Sequence, residues 1–155
     1  MTTAAVEGGR RAGRARAGVT AAIGLLFVVA GASKLIDPGA AVAFARAAIG
    51  PWLWIDGAVS AIGVFEIALG GALVVPATRP GARHAAVAVL VVFTAMLVFQ
   101  AFATDPPSCG CFGAWLAFES ARAELWLGAA RNVALVVALC WAMGPAGRGV
   151  ATAIP

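Results

Sequence analysis

The sequence predicts an all-α polytopic membrane protein, a four-transmembrane-helix bundle with both termini in the cytoplasm. Three observations carry that prediction. The 155 residues are 62% hydrophobic and 12% charged, about half the charge of an ordinary soluble domain. The apolar residues fall into four blocks of roughly twenty, each long enough to cross a bilayer. The basic residues gather on one side of the resulting topology. Arg10, Arg11, Arg14, Arg16, Arg79, Arg83 and Arg148 lie in the amino tail, the middle turn and the carboxyl tail. The other two connections carry Arg46 and Arg122 against Asp37, Asp105 and Glu119. Basic residues in short loops mark the cytoplasmic face. The net charge of +4 is therefore a topology signal and no footprint for nucleic acid. Four spans in this length leave no room for a separate extramembrane enzyme, so any chemistry sits in the bundle or in one loop.

The elements follow in order. Residues 1–17 are rich in Gly, Ala and Arg without an apolar run, which predicts a disordered basic tail. The first span covers about 18–36 and is stopped by Asp37-Pro38, because the residue before a proline leaves helical geometry. The Arg-rich start, the apolar run and Ala30-Gly31-Ala32 also resemble a signal peptide with its cleavage site. The length of the apolar stretch, closely followed by Lys34 and Asp37, favours a retained span. A loop holding Arg46 and Gly50-Pro51-Trp52 leads to the second span, about 54–75, which Pro76 ends. Residues 76–83 read as a short turn. The third span covers about 85–103 and the fourth about 124–143, with a short tail at 144–155. Trp52, Trp54, Trp115, Trp126 and Trp141 all fall near span ends, where indole rings prefer the headgroup region.

The loop from Thr104 to Ala123 holds Cys109-Gly110-Cys111, followed by Phe112-Gly113. By the charge argument it faces outward, where disulfides persist. A Cys-x-Cys disulfide closes a small, strained ring, and strain makes a disulfide easier to reduce. Cys109 and Cys111 are thus the candidate catalytic pair for thiol–disulfide exchange. Gly110 lets the backbone take the turn that closure requires. The competing readings are inert thiols and a zinc half-site. For zinc, further ligands are wanting and the single His84 lies on the opposite face, so no metal site is expected. Cys140 lies about 24 Å along the fourth span from its outer start and reads as a small hydrophobe. With a single close dithiol, the chain cannot pass electrons between two internal cysteine pairs.

Ionisable residues inside spans are costly in lipid and face the bundle interior. Glu66 lies about 18 Å into the second span, on one face with Gly63 and Gly70. A glycine face admits another helix closely, so Glu66 is expected to point at protein. Arg131 lies about 10 Å into the fourth span. The expectation is a buried Glu66–Arg131 ion pair, with Asn132 hydrogen-bonding nearby. Lys34 and Gln100 sit at the outer ends of the first and third spans, level with the cysteine loop. Lys34 either lowers the pKa of a nearby thiol or snorkels to the interface beside Asp37. Residues 113–123, with Trp115, Leu116 and Phe118, read as a short interfacial helix or as the lead-in to the fourth span.

Taken together, these residues resemble a known group. Gly31-Ala32-Ser33-Lys34-Leu35-Ile36-Asp37-Pro38 is similar to the Ser-Lys-x-x-Asp-Pro signature of the MauE/DoxX-like redox-associated membrane proteins. Glu66 with Gly70, Cys109-Gly110-Cys111-Phe112-Gly113 and Arg131-Asn132 follow in matching order. The similarity covers about residues 18–143. It implies a multi-pass protein of the bacterial inner membrane with a role in thiol redox outside the cytoplasm. Methylamine-utilisation members of the group accompany maturation of a disulfide-rich periplasmic dehydrogenase subunit, and related members accompany secreted thioredoxin-like proteins.

The leading expectation is a membrane thiol–disulfide oxidoreductase, with Cys109 and Cys111 exchanging with an exported thioredoxin-like or disulfide-containing partner. The choice of attacking thiol leans to Cys111. Reoxidation would come from a second thiol protein or from a quinone in the bundle, for which no motif marks a site. The rivals are a non-catalytic membrane anchor for an exported redox enzyme and a small transporter using Glu66 and Arg131.

Overall fold

The computed structural model describes residues 3–108 and 120–144. Among them are five helices: α1 (Thr3–Ile36), α2 (Gly39–Ile49), α3 (Ile55–Val74), α4 (Arg79–Ala101) and α5 (Ala121–Met143). Four are long and apolar enough to cross a membrane: Glu7–Ile36 within α1, then α3, α4 and α5. Their outward faces are apolar, with Val29, Phe99 and Val137 all more than 60% exposed. A surface of this kind is stable only against lipid.

α1 packs most extensively on α3, and α4 on α5; α3–α4 and α1–α5 contacts close the bundle. The α1–α3 seam is built on glycine. Gly24 lies against Gly70, and Gly31 against Gly63. Each pair is seven residues from the next on its own helix, so two turns of antiparallel helix keep both in register. An ideal Cβ on Gly70 would stand 2.5 Å from the Gly24 carbonyl oxygen, and one on Gly24 would stand 2.7 Å from the Gly70 carbonyl oxygen. Only glycine permits this approach. Further along the bundle, Ile23, Phe27, Leu73, Leu90 and Leu139 form the largest apolar cluster.

The start of the first transmembrane helix, the α3–α4 connection and the end of α5 share one end of the bundle, held by arginines. Arg16 donates to the Gly144 carbonyl (2.9 Å) and lies over the Trp141 ring at 5.6 Å. Arg83 donates to the Thr20 hydroxyl (2.9 Å) and to the Ala142 carbonyl (3.1 Å). Arg79 donates to the carbonyls of Leu73 (3.1 Å) and Val74 (2.6 Å). These carbonyls end α3 and α5, where helices lack internal donors and guanidinium groups fit both the bonding and the dipole.

Three local expectations are corrected. Residues 3–17, expected to be a disordered tail, continue α1 as helix; at 34 residues α1 is about 51 Å long, well beyond the hydrocarbon thickness. The presumed turn 76–83 is shorter, because α4 begins at Arg79 with a proline in its first turn. Proline has no N–H to lose there and its φ suits a helix start. The connection after Pro38 is largely helix α2. Val42 of α2 packs on Ile55 and Val59 of α3, and Phe44 packs on the cluster of Leu97, Ala101, Leu125 and Ala129. α2 thus lies across the end of the bundle opposite the arginines.

Candidate functional site

The Ser33-Lys34-x-x-Asp37-Pro38 stretch has a definite geometry. Ser33 Oγ and Lys34 Nζ both donate to the Ala30 carbonyl, at 2.9 and 3.3 Å. Asp37 N–H closes the last helical turn on Ser33 O at 2.9 Å. Asp37 Oδ1 accepts from the Gly39 N–H at 3.4 Å, next to Pro38, from which α2 starts. Asp37 therefore serves the α1–α2 corner, and Lys34 does not pair with it.

Lys34 reaches inward instead. Its Nζ lies 2.8 Å from Glu66 Oε2 and 3.1 Å from Oε1. Glu66 is 2% exposed. The expectation that Glu66 points at protein holds; its expected partner, Arg131, does not. The reason is directional. In a helix the Cα–Cβ bond tilts toward the N-terminus, and for a lysine near the C-terminal end of α1 that direction leads down into the bundle. The glycine seam then sets the register, with Gly31 opposite Gly63 and Glu66 one turn beyond. Glu66 lies about 17 Å into α3, near the midplane of a 30 Å core.

Arg131 lies about 15 Å into α5, the same depth as Glu66, because both helices run inward from the same end. Its Nη2 and Nε donate to Asn132 Oδ1 at 3.1 and 3.3 Å. Asn132 is 2% exposed. The charges of Glu66 and Arg131 act on one another electrostatically, but among the described residues the ion pairs are Lys34–Glu66 and Arg46–Asp56. Gln100 is buried in the last turn of α4.

Lys34, Glu66, Arg131 and Asn132 share a cavity of about 320 Å³. It lies among α1, α3, α4 and α5, between the two tightly packed helix pairs, and its outer end is lined by Ala41, Phe44 and Ala45 of α2. Lys34, Glu66, Arg131 and Asn132 form its polar end; Phe27, Phe93 and Leu97 are among its apolar walls. No run of the sequence announces this space, since it depends on how two helix pairs lean on each other.

Cys109 and Cys111 lie outside the described residues, as do Trp115 and most of the expected interfacial helix. The roots of their loop are described. Ser108 Oγ donates to Glu124 Oε2 at 2.6 Å, and Glu124 is buried in the first turn of α5. Arg122 donates to the Ala103 carbonyl at 2.9 Å. Ser120 caps α5, its hydroxyl accepting from the Ala123 N–H at 3.5 Å. Both roots are therefore tied between α4 and α5 at the α2 end of the bundle. Sequence reasoning missed the contact between Ser108 and Glu124, whose only local signal is an acid in the first turn of α5. Replacing Ser108 with alanine removes a hydrogen bond to a carboxylate worth about 1.5 kcal/mol. The expected result is a thermal midpoint lower by roughly 3–6 °C in detergent, read by differential scanning fluorimetry.

Cys140, by contrast, is an exposed thiol on the outward face of α5, and His84 accompanies the arginines at the other end, its Nδ1 2.9 Å from the Pro80 carbonyl oxygen. Against this geometry, a family model described as methylamine utilisation protein MauE matches residues 13–144. Comparison with curated proteins and with solved structures yields no match.

Proposed function

The chain belongs to the MauE family of membrane proteins of methylamine utilisation, and from that premise we propose that it is a thiol–disulfide redox protein of the bacterial inner membrane. Cys109 and Cys111 cycle between dithiol and disulfide and exchange with an exported thioredoxin-like or disulfide-containing partner through a mixed disulfide. The observation that carries this reading is the Cys-Gly-Cys spacing on a loop whose neighbouring residue, Ser108, is bonded to a buried carboxylate of α5. An exchanging dithiol must be presented at a defined place to meet a partner's sulfur, and anchored loop roots supply that.

The sidedness supports the same reading. Arg16, Arg79 and Arg83 gather at the bundle end opposite Ser108 and Glu124. Under the positive-inside rule that end is cytoplasmic, and the cysteine loop faces the oxidising compartment. Attack by one thiolate on a partner disulfide forms the mixed disulfide and releases one partner thiol. Attack by the second cysteine then releases the partner as a dithiol and leaves the Cys109–Cys111 disulfide; the reverse sequence oxidises the partner. Lys34 is held by Glu66 inside the bundle.

The test is a pair of single variants, Cys109→Ser and Cys111→Ser. One of them is expected to accumulate a covalent adduct with an exported protein, cleaved by dithiothreitol and absent from the double serine variant. An impermeant maleimide applied to intact cells is expected to label both cysteines. Labelling only after lysis, or full biological function in the double serine variant, overturns the proposal.

A further inference from the structure

The arginine end of the bundle carries a charge that the protein itself does not neutralise. Among the described residues it holds Arg10, Arg11, Arg14, Arg16, Arg79 and Arg83, against Glu7 alone. The other described acids lie elsewhere: Glu66 inside the bundle with Lys34, and Asp37, Asp56, Asp105 and Glu124 toward the α2 end. Arg16, Arg79 and Arg83 spend their hydrogen bonds on uncharged groups. Arg16 donates to the Gly144 carbonyl and faces the Trp141 ring, and its Nε, shielded from water, has no acceptor. Arg83 donates to the Thr20 hydroxyl and the Ala142 carbonyl, and Arg79 to the carbonyls of Leu73 and Val74. The charges of Arg16 and Arg79 both act on Arg83, so three like charges gather at one place. Arg10, Arg11 and Arg14 are exposed and form no ion pair among the described residues. Their spacing puts them on one face of α1, about 3–9 Å beyond Arg16 along the helix axis.

The level of this cluster says which anion reaches it. Trp141 is half exposed, and an indole beside an arginine at the end of a span marks the headgroup layer, where the phosphates of the bilayer lie. From Trp141, Val137 and Val133 continue along α5 at intervals of four residues, so all three share a face; they are between 50% and 63% exposed. An acyl chain hanging from a phosphate at Arg16 meets this apolar stripe, from which a free anion gains nothing. Guanidinium groups bind phosphate oxygens through paired, charge-assisted N–H bonds. Here their bonds to helix ends already hold them in place, so little freedom is lost on binding. We propose that this end of the bundle binds an anionic phospholipid, its phosphate on Arg16 in the field of Arg79 and Arg83, and one acyl chain laid along Trp141, Val137 and Val133. Arg10, Arg11 and Arg14 draw anionic headgroups toward it from the aqueous side. The site rests on neither the cysteine loop nor the orientation of the bundle.

The test offers the purified full-length protein phosphatidylglycerol, cardiolipin, phosphatidylethanolamine and phosphatidylcholine of matched chains, and retained lipid is counted by native mass spectrometry. Phosphatidylglycerol and cardiolipin are expected to be retained about ten-fold more than the two zwitterionic lipids. Arg16→Gln is expected to lower that retention about five-fold, with the thermal midpoint followed in parallel. The triple variant Arg10→Gln/Arg11→Gln/Arg14→Gln changes exposed positions without bonds to the bundle. It is expected to keep the wild-type midpoint and to lose retention at low salt, the difference from wild type closing at high salt. Where Arg16→Gln fails to fold, the triple variant decides. Arg46→Gln, at the opposite end and paired with Asp56, is expected to retain lipid as the wild type does. Inorganic phosphate is expected not to displace the lipid, since it lacks the chain. Equal retention of anionic and zwitterionic lipids, or an unchanged preference in the arginine variants, overturns the proposal. So does displacement by inorganic phosphate, which would mark a site for a soluble anion, or by polyglutamate, which would mark one for an acidic protein.

Discussion

Replacing Lys34 with methionine is expected to destabilise the protein by about 3–5 kcal/mol. The methionine has similar length and fits the same apolar walls, so the loss is electrostatic. Glu66 is 2% exposed, and Lys34 meets both of its carboxylate oxygens. Without the ammonium a charged carboxylate is left near the membrane midplane, where ionised groups are most costly. The thermal midpoint in detergent is expected to fall by roughly 10 °C or more. Glu66→Met should be costly for the mirrored reason. The double variant, Lys34→Met with Glu66→Met, is expected to return close to wild-type stability, because removing both members of a buried pair is often neutral. That recovery is the informative measurement. If the two single losses simply add, the pair is not coupled and the assignment of Lys34 to Glu66 fails. Arg131, at the same depth, could not then be excused as a bystander, and the original expectation of a Glu66–Arg131 pair would return.

Gly70→Val is expected to destabilise the protein by a separate, steric route. The added Cβ meets the Gly24 carbonyl oxygen at 2.5 Å, the Val28 Cγ2 at 2.8 Å and the Val28 N at 3.0 Å. Two of those three atoms are backbone, so no rotamer change on α1 relieves the contact. The helices must separate, and the register that brings Lys34 to Glu66 is lost with the seam. Overpacking of a tight site costs about 1–3 kcal/mol where neighbours can adjust; against backbone the upper end is the expectation, with a midpoint lower by roughly 6–12 °C. Gly71→Val is the control. It lies one residue away on the same helix, and a Cβ there meets nothing within 4 Å. It is expected to leave the midpoint within a few degrees of wild type. Equal losses from both variants would mean that valine acts through helix propensity alone and that the glycine seam is not what joins α1 to α3.

The residues that made the membrane bundle legible are those whose effect is local. Apolar blocks of span length, Asp37-Pro38 at a helix end and Gly63, Glu66 and Gly70 on one face all act through periods and stops within a single segment. The polar groups of the bundle were legible from the sequence, and their pairing was not. Lys34, Glu66, Arg131 and Asn132 line one cavity, yet Glu66 meets Lys34 and not the expected Arg131. With α3 starting at Ile55 and α5 at Ala121, Arg131 is level with Glu66 and still turns to Asn132, while Lys34 arrives from what looked like the interface. α2 was missed because eleven residues, six of them Ala, with Gly, Val, Phe, Ile and one Arg, carry too short a pattern to separate from an interfacial loop.

Composition and charge placement alone determined that this chain lives in a bilayer as a bundle of four spans, because lipid solvent demands long apolar helices whatever their neighbours. Only the tertiary structure decided which charge meets which, that Ser108 ties the cysteine loop to Glu124, and that a cavity opens between the helix pairs. Those outcomes depend on the rotation and offset of one helix against another. Two glycine contacts, Gly24 on Gly70 and Gly31 on Gly63, set that offset for α1 and α3, and a shift of one residue along the seam would carry Lys34 away from Glu66.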